Sequence, residues 1–579
     1  GVLIDTNSTL TAGTIRITGN GNPTNTSSDF GVFIKGGTSL TASSLVNITG
    51  TGGGTASSAA LGNSGVRIDN ATVSATGSGN VVITGDGGGN SAGGTNYGIQ
   101  LLGNSSGSRS SITADTGTIT LTGIEGAGTG GIGISATVAG IGAASQTGLI
   151  TVRANSVLTG FLFTAANNSQ VLSSGVVNME PLLGSASFTG RALDLTYMQF
   201  GSSISSLTLG KSGNTGAVIF GTPNTNGNII AGPITAYGGI QLVNDTASST
   251  GVTLNGSVLQ TAGRLSTPTL LLTGTGASNV SLAFSSTYGN AIGTVAGSGL
   301  GTVNINNGGT LSTVAAGALT VGTVGSTRGL SASGTVTVTT YRGDITLADN
   351  IVTSNAGTAA ITLNAGQYMP VGDSTSGNLI FNNGVSLTTG SGGRALLYTG
   401  AVANTNLTAL VGSGSGRFRY GSTSSINNFT NWLGSSGLYA IYRERPTVSW
   451  SSTASQTFDY GNTPVIDTTG SVSGLVNGDT ADTSMTVRLA STNVVTSTNA
   501  RGFYNVGSYI FSRTEGAKAL GYQVSNPTMT VNRATLTVTA NDFTKTYDGV
   551  KFSGGKGVTY SGFAAGETAT NALSGSVSY

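Results

Sequence analysis

Side chains able to do chemistry are few and scattered. Arg342-Gly343-Asp344 is the integrin-binding tripeptide and the candidate receptor-binding site. The plainer reading makes Gly343-Asp344 a corner ahead of the strand phrase DITL and Arg342 a solvated neighbour. The two readings differ in whether Arg342 and Asp344 both project from an exposed loop. Gly103-Asn104-Ser105-Ser106-Gly107 fits the G-x-S-x-G nucleophile elbow, but the chain has no histidine to activate a serine, and 95 glycines make chance matches frequent. Gly128-Thr129-Gly130-Gly131-Ile132-Gly133 is glycine-rich without the strand-helix context that cradles a dinucleotide. Asp86 among glycines lacks the recurring register of calcium-binding repeats and reads as a turn.

Polysaccharide cleavage needs carboxylates converging on one face. The acidic residues before position 440 stand mostly alone; Asp5 and Asp69 share a repeat position with Lys35 between them, a charge ladder that reads as a solvated face. With no cysteine and no histidine, the usual zinc ligands are missing. The expectation is no catalytic residue, no cofactor and no metal.

A repeat must hold these side chains. GVLI at Gly1, GVFI at Gly31, GVRI at Gly65, GIQL at Gly98 and GIGI at Gly131 follow one another at a near-constant spacing, and such a period is that of a solenoid. A second phrase travels with the first: TIRITG from Thr14, LVNITG from Leu45, NVVITG from Asn80 and TITLTG from Thr118. In Thr14 to Gly19 the apolar Ile15 and Ile17 alternate with Thr14, Arg16 and Thr18, the period of a half-buried strand. The fold expected is all-β, a right-handed parallel β-helix in which aliphatic ladders fill the bore. Glycine and asparagine would take the tight corners, where φ turns positive, and the segments 20–29 and 87–96 would project as loops.

The 579 residues are 37% hydrophobic but only 8% charged, with a formal net charge of +2. Alternating Val, Ile and Leu supply a core that a disordered chain lacks. Without a Lys/Arg run, phosphate neutralisation has no source, so nucleic acid is not an expected partner. No apolar run approaches the roughly 18 residues that span a bilayer, so no membrane insertion is expected within this segment. Gly1 is neither an initiator methionine nor the start of a signal peptide, and an excerpt or processed chain is expected.

Three domains are expected. Residues 1–440 form the β-helix, with regular coils of about 33 residues over 1–160 and less regular ones over 161–440, where the spacing of 16 from Ile345 to Ile361 predicts shorter coils. Charge density changes near 440: 25 charged residues precede it and 19 follow in under a third of the length. Residues 441–532 and 533–579 read as small β-rich modules, and Pro446 marks the joint. Trp432 and Trp450, near that change, are expected to be buried as a cap over the open end. Outward threonines as in Thr118-Ile119-Thr120 and Thr335-Val336-Thr337 locally fit an ice- or polymer-binding array, and ordinary strand propensity explains them equally.

GNIIAGPITAYGGIQL from Gly227 and GGRALLYTG from Gly392, set among Gly-Asn-Thr-rich coils, resemble large bacterial exoproteins of the filamentous haemagglutinin type. FDYGNTPVIDTTGSVSGLVNGDT from Phe458 is similar to the YGX-type MBG repeat, and KTYDGVKFSG from Lys545 to the YDG repeat. The chain lacks an NPNG-like secretion signature, and the YDG-like module stops at Tyr579. The resemblance implies secretion to the bacterial cell surface through an outer-membrane secretion partner. It also implies a non-enzymatic role in adhesion, biofilm or an extracellular filament, with host or neighbouring-cell glycans or proteins, or further copies of itself, as partners. The alternative is a β-helix that binds or degrades polysaccharide.

Overall fold

A computed structural model describes the chain except residues 25–28, 55–61, 89–95, 105, 127–129, 161–167, 190–191, 222–228, 283–288, 309–316, 404–406, 451–455, 464–471, 481–487, 492–497, 513–518, 526–527 and 579. It is all-β, and parallel pairing between successive passes of the chain dominates up to residue 400. Each pass lays its strands beside the equivalent strands of the next, so one residue of every pass enters a common column. One column runs Val2, Val32, Val66, Ile99, Ile134, Val157, Leu193, Val218, Ile240, Val258, Val280, Val303, Val336, Ile361 and Ala395. From Val32 onward every member is at most 3% exposed. A second column begins at Ile15, Val46, Val81, Ile119 and Ile150, and a third runs from Leu10 through Leu40, Val73, Ile112, Ile141 and Val171 to Phe200.

Alternation puts these columns inside. The strand Asn80–Asp86 buries Val81 and Ile83 and leaves Asn80, Val82 and Thr84 half-buried on the other face. Isoleucine, valine and leucine suit a position stacked on its like above and below, because branched side chains pack against a pleated surface with little rotamer loss. Buried asparagines secure some strand starts. Asn307 Oδ1 accepts from Ile292 N at 2.8 Å while its amide donates to the Ile292, Gly317 and Ala318 carbonyls, so a fully buried polar side chain is satisfied on both ends.

Three details differ from the sequence reading. The fifth phrase slips along the chain: Ile134, not Ile132, stacks on Ile99, so Gly133 takes the place expected of Gly131. Ile345 and Ile361 lie in different columns, pairing with Leu379 and Ala395. One full pass there runs from Ile345 to Leu379, and the spacing of 16 separates two strands of that pass. The short passes lie earlier, where Ile234, Val252 and Leu270 stack in turn. The segments 20–29 and 87–96 contain 25–28 and 89–95, outside the described residues. Corners do carry the expected residues: Asn7, Gly37 and Asn70 have φ of 60°, 73° and 52°.

The chain divides into two compact units, Gly1–Leu410 with Gly434–Ala440, and Val411–Leu433 with Ile441–Tyr579. Sequence composition puts 411–433 with the first unit. It packs with the second because Tyr420 finds its hydrogen-bond partners at Asn477 and Asp479, and buried Arg419 donates to the Gly416, Phe418 and Asn431 carbonyls. Trp432 is 76% exposed and caps nothing; the side chain of Trp450 lies outside the described residues.

Within the second unit, Thr447–Trp450 pairs antiparallel with Val472–Ser473 and parallel with Gln523–Ser525. A four-stranded sheet joins Gln456–Asp459, Thr528–Asn532, Gly507–Ser512 and Arg488–Ser491 around Tyr509, Met529 and Val531. Thr537–Ala540 and Val558–Ser561 form a two-stranded antiparallel sheet.

Gly256 tests the corner argument. Its φ is +131°, and a Cβ there would lie 2.1 Å from the carbonyl oxygen of Gly238 one pass away. Gly256→Ala is expected to cost about 2 kcal/mol or more, from strain and the backbone clash. Gly13→Ala, at an exposed strand position with open space around its Cβ, should stay within about 0.5 kcal/mol. Urea midpoints of the two variants check this, and equal midpoints would remove the steric account of the corner.

Candidate binding surface

Four passes leave a concave groove of about 430 Å³ on the first unit, lined by residues 212–215, 237–239, 255–257, 273–275 and 278. Its floor is a consequence of stacking. Tyr237, Asn255 and Thr273 share one column, and the positive-φ residues Gly238 and Gly256 turn the chain away immediately after it, donating to the Asn255 and Thr273 carbonyls at 2.9 and 2.8 Å. Glycine is required at both corners, since a Cβ would lie 2.3 Å from the Gly216 carbonyl oxygen at Gly238 and 2.1 Å from the Gly238 carbonyl oxygen at Gly256.

Asn214 and Asn255 are spent on the fold. Asn214 Oδ1 accepts from Phe188 N and Gly216 N, and its Nδ2 donates to the Tyr237 and Gly216 carbonyls. Asn255 donates to the Ala236 carbonyl and accepts from Thr273 Oγ1. What remains to face a ligand is the half-buried Tyr237 ring, backbone, and hydroxyls such as those of Ser212, Ser257 and Thr275. The lining carries no ionised side chain. Such a site can hydrogen-bond and stack a neutral, hydroxyl-rich ligand but has no group to transfer a proton. In the sequence, the passage holding Tyr237 reads as a strand phrase and carries a family resemblance, and corners contributed by separate passes have no local signature of a groove.

The candidate residues singled out in the sequence do not converge. Arg342 is exposed; Asp344 is half-buried and accepts from Asn378 N of the next pass at 2.7 Å through Oδ1, while Gly343 O accepts from Thr340 Oγ1. The tripeptide thus sits at a corner in which the carboxylate also ties two passes together. Ser105 and residues 127–129 lie outside the described residues. Asp86 ends a strand and accepts from Gly88 N. Asp5 meets Lys35 at 3.9 Å, but Asp69 pairs with Arg67, whose guanidinium lies over the Phe30 and Phe33 rings. Outward threonines form no uniform array: the column Thr120, Thr151, Asn178, Thr208, Thr235, Thr253 passes on to Leu271 and Ala296. Among the described residues no three His, Cys, Asp or Glu side chains are grouped to hold a metal.

The second unit contains a polar node in which buried Tyr420 and Tyr522 meet half-buried Asp479 and Asn477. Asp479 Oδ2 accepts from Tyr420 Oη at 2.7 Å and Tyr522 Oη at 2.9 Å, and Asn477 Nδ2 donates to Tyr420 Oη at 3.0 Å. The Tyr420 and Tyr522 rings lie 4.2 Å apart, with Tyr442 stacked on Tyr420 at 5.6 Å. Burial pushes both phenols up and keeps them protonated donors. Burial also raises the Asp479 carboxyl, against the two phenol hydrogen bonds and the charge of Arg419.

Because Asp479 binds its proton more readily folded than unfolded, its contribution to stability falls as pH rises from about 3.9 through its folded pKa. Wild type should therefore gain stability relative to Asp479→Asn as pH drops from 7 toward 4, read as the difference in urea midpoints of the second unit. A difference that grows in the opposite direction would mean that the phenol bonds outweigh burial. Compared with known proteins, the chain matches no family model, no curated protein and no solved structure.

Proposed function

We propose that the chain is a secreted, non-enzymatic surface rod whose first unit is a right-handed parallel β-helix and whose work is adhesion through neutral glycans. The observation carrying this reading is the uncharged groove over residues 212–278, cut into a stack of parallel passes. A stack of this kind displays equivalent corners at the spacing of parallel strands, about 4.8 Å. It therefore offers an extended polymer several weak contacts at once, and cumulative contacts give avidity without a deep pocket. Low charge suits a surface that must approach other cells without strong repulsion.

The family resemblance supports the same reading. In exoproteins of the filamentous haemagglutinin type, a β-helix followed by MBG- and YDG-like modules would leave the cell through an outer-membrane partner pore and present the rod outside. On this proposal 441–532 and 533–579 are stalk modules, and the Arg342-Gly343-Asp344 corner plays a subordinate part, since Asp344 is already engaged by Asn378. A self-assembling extracellular filament is the competing structural role. Polysaccharide cleavage is disfavoured by the uncharged groove lining.

Electron micrographs of the purified chain should show isolated rods rather than continuous fibres. A glycan array should register binding to neutral oligosaccharides that Tyr237→Ser weakens by about tenfold, loss of one stacked ring being worth roughly 1 kcal/mol or more. Release of reducing ends from a bound polysaccharide would overturn the non-enzymatic reading, and an array signal indifferent to Tyr237 would remove the groove from it.

A further inference from the structure

In the second unit, the loop over residues 422–433 combines a fixed backbone with a tryptophan left in water. Trp432 is 76% exposed, while the main chain that carries it is tied to its surroundings by three sets of hydrogen bonds. Arg419 is buried; its Nε donates to the Asn431 carbonyl at 2.8 Å and its Nη2 to the Trp432 carbonyl at 3.5 Å. The same guanidinium lies 5.5 Å from the centroid of the buried Phe429 ring. Thr430 N and Asn431 N both donate to the Ala519 carbonyl, at 2.9 and 3.0 Å. Asn428 N donates to the buried Ser422 Oγ at 2.9 Å.

These bonds decide where the indole goes. Hydrophobicity alone would fold the ring back onto apolar surface. To do so the loop would have to take its carbonyls from Arg419 and leave a charged group unpaired in the interior, which costs more than one ring gains. The core therefore holds Trp432 in solvent on a preorganised backbone, the arrangement that lowers the ordering cost of binding.

The chemistry around the ring is neutral and polar. Residues 420–442 contain no Asp, Glu, Lys or Arg. Thr430 and Asn431 are exposed, and their side chains have no hydrogen-bond partner among the described residues. Asn427, also exposed, accepts from Phe429 N through Oδ1, so its amide donors face water. A membrane surface calls for basic residues beside an interfacial tryptophan to meet anionic headgroups, and this stretch has none. A protein hot spot calls for a ring of contacts that shuts water out, whereas the two residues before Trp432 are hydrated Thr430 and Asn431. A sugar ring suits both features: it offers a C–H face to an aromatic and hydroxyls to amides around it.

We propose that Trp432, with Asn427, Thr430 and Asn431, forms a saccharide-binding site on the second unit. The indole takes the C–H face of a neutral pyranose, and the loop amides and hydroxyls bond the sugar hydroxyls. The inference rests on the reading of the chain as a glycan binder but uses no residue of the groove over 212–278, so either site can fail alone. Two weak sites on one chain strengthen attachment to a surface that displays many copies of a glycan.

The test titrates the full chain with neutral oligosaccharides of glucose, galactose and N-acetylglucosamine, followed by calorimetry and tryptophan emission. At least one should bind saturably and shift the emission. Trp432→Ala should weaken that binding about tenfold, as expected for one stacked ring, and should remove the shift, since Trp450 is the only other tryptophan. Its urea midpoint should stay unchanged, because the ring lies outside the core. Trp432→Tyr should keep most of the affinity, and Tyr237→Ser should leave the Trp432-dependent part intact. Binding that needs Tyr237 and ignores Trp432 overturns this site and spares the groove, whereas no saturable binding by any of the sugars overturns both. Attachment to phosphatidylcholine vesicles that Trp432→Ala abolishes, without sugar binding, overturns the choice of ligand.

Discussion

Parallel hydrogen bonding between one pass of the chain and the next is the interaction on which the first unit depends. Every strand offers its unpaired edge to the equivalent strand of the following pass, so a residue's neighbours above and below are its counterparts in the repeat. A polar residue entering the column of Val81 and Ile119 would be buried against aliphatic groups on both sides with no donor or acceptor in reach. The same rule explains where variation is tolerated. Residues Thr323–Val324 and Thr327–Arg328 leave the stack as an antiparallel hairpin, yet Val321 still pairs with Leu347 and Leu330 with Ile351 on either side of it. Asp349 anchors the hairpin, accepting from Thr323 Oγ1 and Arg328 Nε. The Thr323 bond foremost holds its carboxyl below the usual range. The pass from Ile345 to Leu379 is nearly twice as long as that from Ile234 to Val252, and the columns continue through both.

The second unit is organised by a different constraint. Its sheets are small, and what ties distant segments together is a carboxylate placed after a positive-φ glycine: Asp479 after Gly478 receives the hydroxyls of Tyr420 and Tyr522, 59 and 43 residues away, and Glu567 after Gly566 receives that of Tyr460, 107 residues away. Even a half-buried carboxylate is costly unless its lone pairs are occupied, so such a node rewards one arrangement of the connected segments over others.

Much of this was legible in residue order. The TIRITG, LVNITG, NVVITG and TITLTG phrases align as read, Ile17, Ile48, Ile83 and Leu121 forming one column. Where phrases blurred, counting letters misled: Gly131 and Gly133 both precede an isoleucine, and only pairing chose the second. Ile345 and Ile361 look like successive repeats because two strands of one pass share the same alternation. The groove was not legible at all. Its members come from four passes, and its lining stays uncharged while the asparagines in it are consumed by backbone and by the Thr273 hydroxyl.

By itself the sequence determined that the chain would be built of β-strands with aliphatic alternation, stacked at a recurring period, and that histidine- and cysteine-based chemistry was excluded, since these follow from local periodicity and composition. Tertiary structure decided which residues share a column, which corners open into a surface, that Val411–Leu433 packs with the second unit, and that Tyr420 and Tyr522 meet at Asp479. Those outcomes depend on contacts between residues far apart in the chain, and spacing along the chain carries no information about which distant groups meet.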